Sequence, residues 1–188
     1  MPTNLGPLLF VMFVSMLKDF FEDRKRRASD DEENCNPTKI LCEIDGQLYF
    51  KEARWKEVKI GDIVRVEQDE FFPSDLICIK TASEKHIAYV ETKNLDGETN
   101  LKHKLAVKEL AQGFSDEESC LRDLHASVTC EAPNVQIYKF DGVLNVGDSK
   151  ISLSHENLLL RGSALKNTEW VWGVVTYVGH ETRLMMNS

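Results

Sequence analysis

Paired cysteine is the first thing this 188-residue chain lacks. Its five cysteines, Cys35, Cys42, Cys78, Cys120 and Cys130, are odd in number and include no Cys-x-x-Cys pair. That excludes a disulfide framework and a zinc knuckle, and the residues read as reduced thiols in a cytosolic setting. The histidines offer a metal no better: His86, His103, His125, His155 and His180 are scattered without ligand spacing. Net positive charge is missing as well. With 23 Lys and Arg against 31 Asp and Glu the formal net charge is -8, and no strand-like segment is basic. A nucleic-acid partner is thereby excluded, because phosphate backbones are held by clustered cations. No Gly-x-x-x-x-Gly-Lys loop occurs, so no nucleotide cradle is expected, and no internal repeat is visible.

A hydrophobic run long enough to cross a bilayer is also absent. Leu5 to Leu17 is nearly all apolar, but as a helix it reaches only about 20 Å against a hydrocarbon core of about 30 Å. No basic residue precedes it and no small-residue cleavage site follows it, which disfavours a signal peptide. Lys18, Arg24, Lys25, Arg26 and Arg27 come next, mixed with Asp19, Glu22 and Asp23. Positive charge beyond an apolar helix marks the cytosolic side, so the segment reads as the last turns of a membrane helix; a buried helix of a soluble core is the plainer alternative. Asp30-Asp31-Glu32-Glu33 then reads as an exposed linker.

What remains is 42% hydrophobic and 29% charged, enough for one core with an appendage. From Thr38 onward strand-like segments follow one another with polar turns, the pattern of a sandwich or barrel. Strands are expected at 39–44, 47–51, 55–59, 62–67, 75–82, 86–93, 126–131, 135–141, 143–147, 157–160 and 170–178. Leu76 to Ile79 and Trp170 to Val175 are apolar on both faces, as central strands packed from two sides are. Phe71 and Phe72, in an extended turn before Pro73, are expected to plug the core. A short helix is expected over Leu105 to Ala111, closed by Gly113. A second follows the capping box Ser115 to Glu118, with Leu121 and Leu124 at helical spacing. Helix is expected again after Gly179.

The chemistry-bearing stretch is Asn94-Leu95-Asp96-Gly97-Glu98-Thr99-Asn100-Leu101-Lys102. Asp-Gly is a hairpin signal, and such a turn lifts Glu98 off the sheet. A glycine beside an acid also lets backbone N–H groups approach a phosphate, the geometry wanted for water attacking phosphorus. An ordinary solvated turn is the bland reading. Asp141-Gly142, set between Phe140 and Val143, reads as simply a hairpin, whereas Gly97 is followed by the polar Glu98, Thr99 and Asn100.

Taken together these segments resemble the actuator domain of P-type ATPases, specifically the phospholipid-flippase subfamily, over nearly the whole chain. Lys18 to Arg24 looks like the cytosolic exit of the second membrane helix. Lys59-Ile60-Gly61-Asp62-Ile63-Val64 resembles the family's Val-Gly-Asp-Ile-Val segment, and Pro73-Ser74-Asp75-Leu76 its Pro-Ala-Asp-Leu segment with Ser for Ala. Asn94 to Lys102 matches the flippase form of the signature loop, and Leu159 to Ser163 and Lys166 to Asn187 follow the subfamily's order.

The resemblance implies a mainly β fold, a distorted jelly roll or double-stranded β-helix with short helical insertions and helical stalks at both ends. Residues 1–28 would be the end of a membrane helix and its stalk, 29–180 the actuator domain, and 181–188 the start of the exit helix. It implies that Glu98 orients the attacking water and accepts its proton, that Gly97 permits close approach to an aspartyl-phosphate, and that Asp96 and Thr99 shape the loop. No cofactor or metal is implied within this chain; ATP and Mg²⁺ serve the full-length enzyme. The implied partners are the phosphorylation and nucleotide-binding domains of the same polypeptide, a phospholipid and an accessory subunit, and the implied place is the cytoplasmic side of a membrane. No Asp-Lys-Thr-Gly phosphorylation motif is present, so the chain alone is not expected to turn over ATP. Two rivals stand beside this reading: a non-catalytic β interaction module tethered to a membrane, and a hydrolase pairing Glu98 with Asp75 or Glu91.

Overall fold

The structure, a computed structural model, describes residues 5–112 and 126–187. The chain forms two units, Met1–Asn36 and Pro37–Ser188.

The first unit is one helix, α1 (Leu5–Asn34), which runs on through the acidic residues read above as a linker. Its apolar side chains are exposed, Phe10 and Met16 by about two-thirds. Beyond them Lys18 pairs with Glu22 one turn on, at 3.4 Å. No helix among the described residues is long and apolar enough to cross a membrane.

The second unit is mainly β with short helical insertions, as expected. Its strands are β1 (Pro37–Ile44), β2 (Gln47–Arg54), β3 (Ile63–Glu67), β4 (Asp75–Thr81), β5 (Ile87–Glu91), β6 (Lys102–Leu105), β7 (Ala126–Cys130), β8 (Gly142–Val146), β9 (Ser149–Leu153), β10 (Leu158–Leu159), β11 (Ala164–Lys166) and β12 (Trp170–Tyr177). The helical pieces are α2 (Lys93–Asp96), α3 (Lys108–Gln112) and α4 (Arg183–Met186). A six-stranded antiparallel sheet runs β10-β4-β12-β3-β1-β2; two three-stranded sheets run β11-β5-β6 and β7-β8-β9.

Strand alternation explains why β4 and β12 are apolar on both faces. Leu76, Cys78, Val171 and Val175 pack in one cluster with Ala88, Val90 and Leu165 from β5 and β11. Ile77, Ile79, Trp170 and Trp172 point the other way, into a cluster with Leu144 and Leu153 from β8 and β9. The large sheet is therefore covered on both faces by a small one. Where β12 slips its register against β4, between Trp172 and Gly173, a side chain on Gly173 would lie 2.8 Å from the Cβ of Leu76. Only glycine fits there.

Several expected elements differ. Residues 55–59 are not a strand: Trp55–Glu57 is a 3-10 turn, closed by the Glu57 carboxylate accepting the Arg54 N–H at 2.7 Å. The segment 135–141 is a loop, because several of its carbonyls are taken by side chains rather than by a neighbouring strand. Val135 O accepts from Asn187 Nδ2 at 2.8 Å and Gln136 O from Arg183 Nε at 2.9 Å. Asp141-Gly142 is consequently no hairpin turn; Gly142 opens β8 opposite Cys130, and the β8–β9 hairpin turns at Gly147, with φ 55. Of the two phenylalanines Phe72 is fully buried, but Phe71 is half exposed. Leu105 belongs to β6, so the helix after it starts at Lys108. Gly113 and the capping-box helix from Ser115 to Leu124 lie outside the described residues. The strands β6, β9 and β11 have no counterpart among the expected strands.

Candidate functional site

The signature stretch connects β5 to β6, which pair antiparallel with Val90 opposite Lys102. Between them the chain makes one helical turn, α2, and not a two-residue hairpin. Leu95 and Asp96 donate their N–H groups to Thr92 O at 2.8 and 3.1 Å, and Gly97 closes the turn by donating to Lys93 O at 3.0 Å. Gly97 sits at φ 75, ψ 0, the left-handed cap that glycine adopts without strain, while Asp96 stays at negative φ. A side chain at Gly97 would meet nothing within 4 Å, so its surface lies open to an approaching group.

The two acids beside that glycine have opposite surroundings. The Asp96 carboxylate is nearly buried and accepts from Thr92 Oγ1 at 3.0 Å, Tyr138 Oη at 2.7 Å, the Glu98 N–H at 2.9 Å and the Lys102 ammonium. Burial alone would raise its pKa, but the donors from Lys102, Tyr138, Glu98 and Thr92 outweigh it and hold the carboxyl well below the usual range. Lys102 is correspondingly pushed up: burial works against its charge, and its contacts with Asp96, Tyr138 and Glu98 prevail. Glu98, by contrast, has a side chain 55% exposed, with Lys102 Nζ 3.2 Å from Oε2. Thr99 is exposed. Of the four residues singled out from the sequence, Asp96, Gly97 and Glu98 form one constructed turn, and Thr99 extends from it into solvent.

A cleft of about 120 Å³ lies behind the turn, lined by Asp96, Lys102, Lys104, Tyr138 and His155 among others. Lys104 is buried and donates to His155 O at 2.7 Å. Burial, assisted by the nearby Lys102 charge, lowers its ammonium to about 8.

Asp75, considered above as a second acid, is elsewhere in character. It has no exposed surface; Oδ1 accepts the Arg161 N–H at 2.9 Å, and Oδ2 accepts Arg183 N–H at 3.0 Å and Nη1 at 3.4 Å. Arg183, equally buried, also reaches Glu131 Oε1 at 3.0 Å and the carbonyl of Gln136. An acid so enclosed cannot share a water with the exposed Glu98.

No family model matches the chain. Among curated proteins it is 44% identical over 184 residues to the probable phospholipid-transporting ATPase 11 of Arabidopsis thaliana. It is 40% identical over 186 residues both to phospholipid-transporting ATPase tat-1 of Caenorhabditis elegans and to phospholipid-transporting ATPase DRS2 of Saccharomyces cerevisiae. These matches cover 98–99% of this chain and 13–16% of the relatives. The chain is thus similar to one segment of the phospholipid-transporting ATPases. A solved zinc-transporting PIB-type ATPase in its E2.Pi state aligns with 79% of the chain at a TM-score of 0.43 and 11% identity, too loose a likeness to carry an argument.

Sequence reasoning missed the residues that hold the turn. Lys102 stood inside the quoted stretch, but only the return of β6 beside β5 brings it under Asp96. Tyr138 lies in a segment of strand-like composition, and Arg183 is a single cation in a short helical tail with nothing local to mark it.

Proposed function

We propose that this segment is the actuator domain of a phospholipid-transporting P-type ATPase and that Glu98 is the base that hydrolyses the enzyme's aspartyl-phosphate. The carrying observation is the turn itself: an exposed carboxylate follows an open, left-handed glycine and is tethered at its backbone to a neighbouring saturated acid. The phosphorylation domain of the same polypeptide brings the acyl phosphate against Gly97. Glu98 takes a proton from water, the water oxygen bonds to phosphorus, and the P–O bond to the aspartate breaks with the electron pair leaving on the carboxylate. Such chemistry asks for positioning and a base and little else. ATP and Mg²⁺ act at the phosphorylation and nucleotide-binding domains. The phospholipid, and an accessory subunit where there is one, engage the membrane part of the protein. The domain stands on the cytoplasmic side, with residues 1–28 as stalk, 29–180 as actuator body and 181–188 as exit helix.

In the full-length enzyme, Glu98→Gln is expected to leave phosphorylation intact and to slow phosphoenzyme hydrolysis by about 10²–10⁴-fold, the usual contribution of a general base. A chase of radiolabelled phosphoenzyme with added phospholipid measures it. Decay at the wild-type rate would remove Glu98 from the reaction and favour the non-catalytic interaction module.

A further inference from the structure

The turn that presents Glu98 is steadied from a distant part of the chain. The loop 131–141 carries Tyr138, whose Oη donates to Asp96 Oδ2 at 2.7 Å and accepts from Lys102 Nζ at 3.1 Å. The same ammonium lies 4.5 Å from the centre of the Tyr138 ring. Each of those two partners holds one part of Glu98. Asp96 Oδ1 takes its backbone N–H at 2.9 Å, and Lys102 Nζ stands 3.2 Å from its carboxylate. One phenolic hydroxyl therefore touches both supports of the acid without touching the acid.

Tyr138 gains little from burial by being there, since the residue is 56% exposed. Its loop forms no ladder; it is fixed because Arg183 fills it from behind, donating to the carbonyls of Gln136 and Lys139 at 2.9 and 3.5 Å. An exposed tyrosine on an anchored loop, with its hydroxyl hydrogen-bonded to both members of an ion pair, serves geometry more than stability. We infer that Tyr138 is a positioning residue for phosphoenzyme hydrolysis, setting the stance of Glu98 through Asp96 and Lys102. This rests on the assignment of Glu98 as the base.

The test is a double-mutant cycle in the full-length enzyme, reading phosphoenzyme decay in Tyr138→Phe, Glu98→Gln and the double variant. Phe keeps the ring and its packing, and a melt of each protein confirms that it is folded. Tyr138→Phe alone is expected to slow decay about three- to tenfold, on the order of the net contribution of one ordinary hydrogen bond, with phosphorylation unchanged. Added to Glu98→Gln it is expected to slow decay by less than about twofold, because the base it positions is already gone. A purely structural role would give the same factor in both backgrounds. Wild-type decay in Tyr138→Phe, or equal factors in the two backgrounds, overturns the inference and leaves the role of Glu98 standing. Wild-type decay in Glu98→Gln overturns both.

Discussion

Asp75 and Glu98 lie in the same β domain, each an acid one or two residues after a Pro or a Gly. Asp75 has no exposed surface, two backbone N–H groups and a guanidinium satisfy its oxygens, and its partner Arg183 is just as enclosed. Glu98 is more than half exposed, its side chain faces one ammonium, and its backbone is tied to Asp96. The difference lies in what each can still do. A carboxylate whose lone pairs are filled and whose water is excluded can only hold the chain together; one kept in place by its backbone, with oxygens in solvent, can accept a proton. The fold uses its saturated acids to fix position, Asp75 for the C-terminal helix and Asp96 for the turn.

The sharpest way to break this contrast is to remove the cation from the enclosed pair. Arg183→Met leaves Asp75 buried with only backbone donors and strips Glu131 and the loop carbonyls of theirs; the expected loss is about 3–5 kcal/mol in urea unfolding of the chain. A loss below about 1 kcal/mol would mean that the pair is no more structural than a surface contact.

Lys104 probes the ground between the two regions, because it is buried against a carbonyl and not a carboxylate. The folded state gives up its proton near pH 8, whereas the unfolded chain keeps it to about 10.5. Across that window the unfolded state binds more protons, so stability rises with pH, by on the order of 3 kcal/mol if the whole shift is expressed. Cys78, whose thiol is pushed up to about 12 by burial, acts in the opposite direction above about pH 9, where the unfolded thiol ionises first. The difference between wild type and Lys104→Met, followed by unfolding from pH 7 to 10.5, isolates the lysine; no pH-dependent difference would mean that water reaches it.

At the turn itself the effects on folding are expected to be small. Gly97→Ala meets no atom within 4 Å, so its cost is that of left-handed backbone alone, about 1 kcal/mol. A larger loss in thermal melts would show the turn to be packed and not open. Glu98→Gln, proposed above to slow hydrolysis, is expected to change folding stability by less than about 0.5 kcal/mol, and a large drop in its melting temperature would erase the contrast with Asp75.

The turn was legible because its signals are local. Gly97 announced positive φ and Glu98 an acid displayed beyond it, and both are where the sequence put them. The turn type was not legible: hydrogen bonds back to Thr92 O made it a helical turn with a left-handed cap, and the sequence carries no sign of which carbonyl an N–H will choose. Residues 135–141 misled for a related reason. Val135, Ile137, Tyr138 and Phe140 have strand composition, yet side chains of Arg183 and Asn187, some fifty positions away, take the carbonyls that a strand would need.

By itself the sequence determined the mainly β domain, its two central strands, the helix-forming ends and the acid beyond the glycine. These follow from side-chain period and from backbone preference, which act over a few residues. Tertiary structure alone decided that Asp96 is held and Glu98 left exposed, that Asp75 is sealed with Arg183, and that Tyr138 reaches the turn. Burial and ion pairing depend on which distant segments come to lie together, and those surroundings are what separate two acids on either side of one glycine.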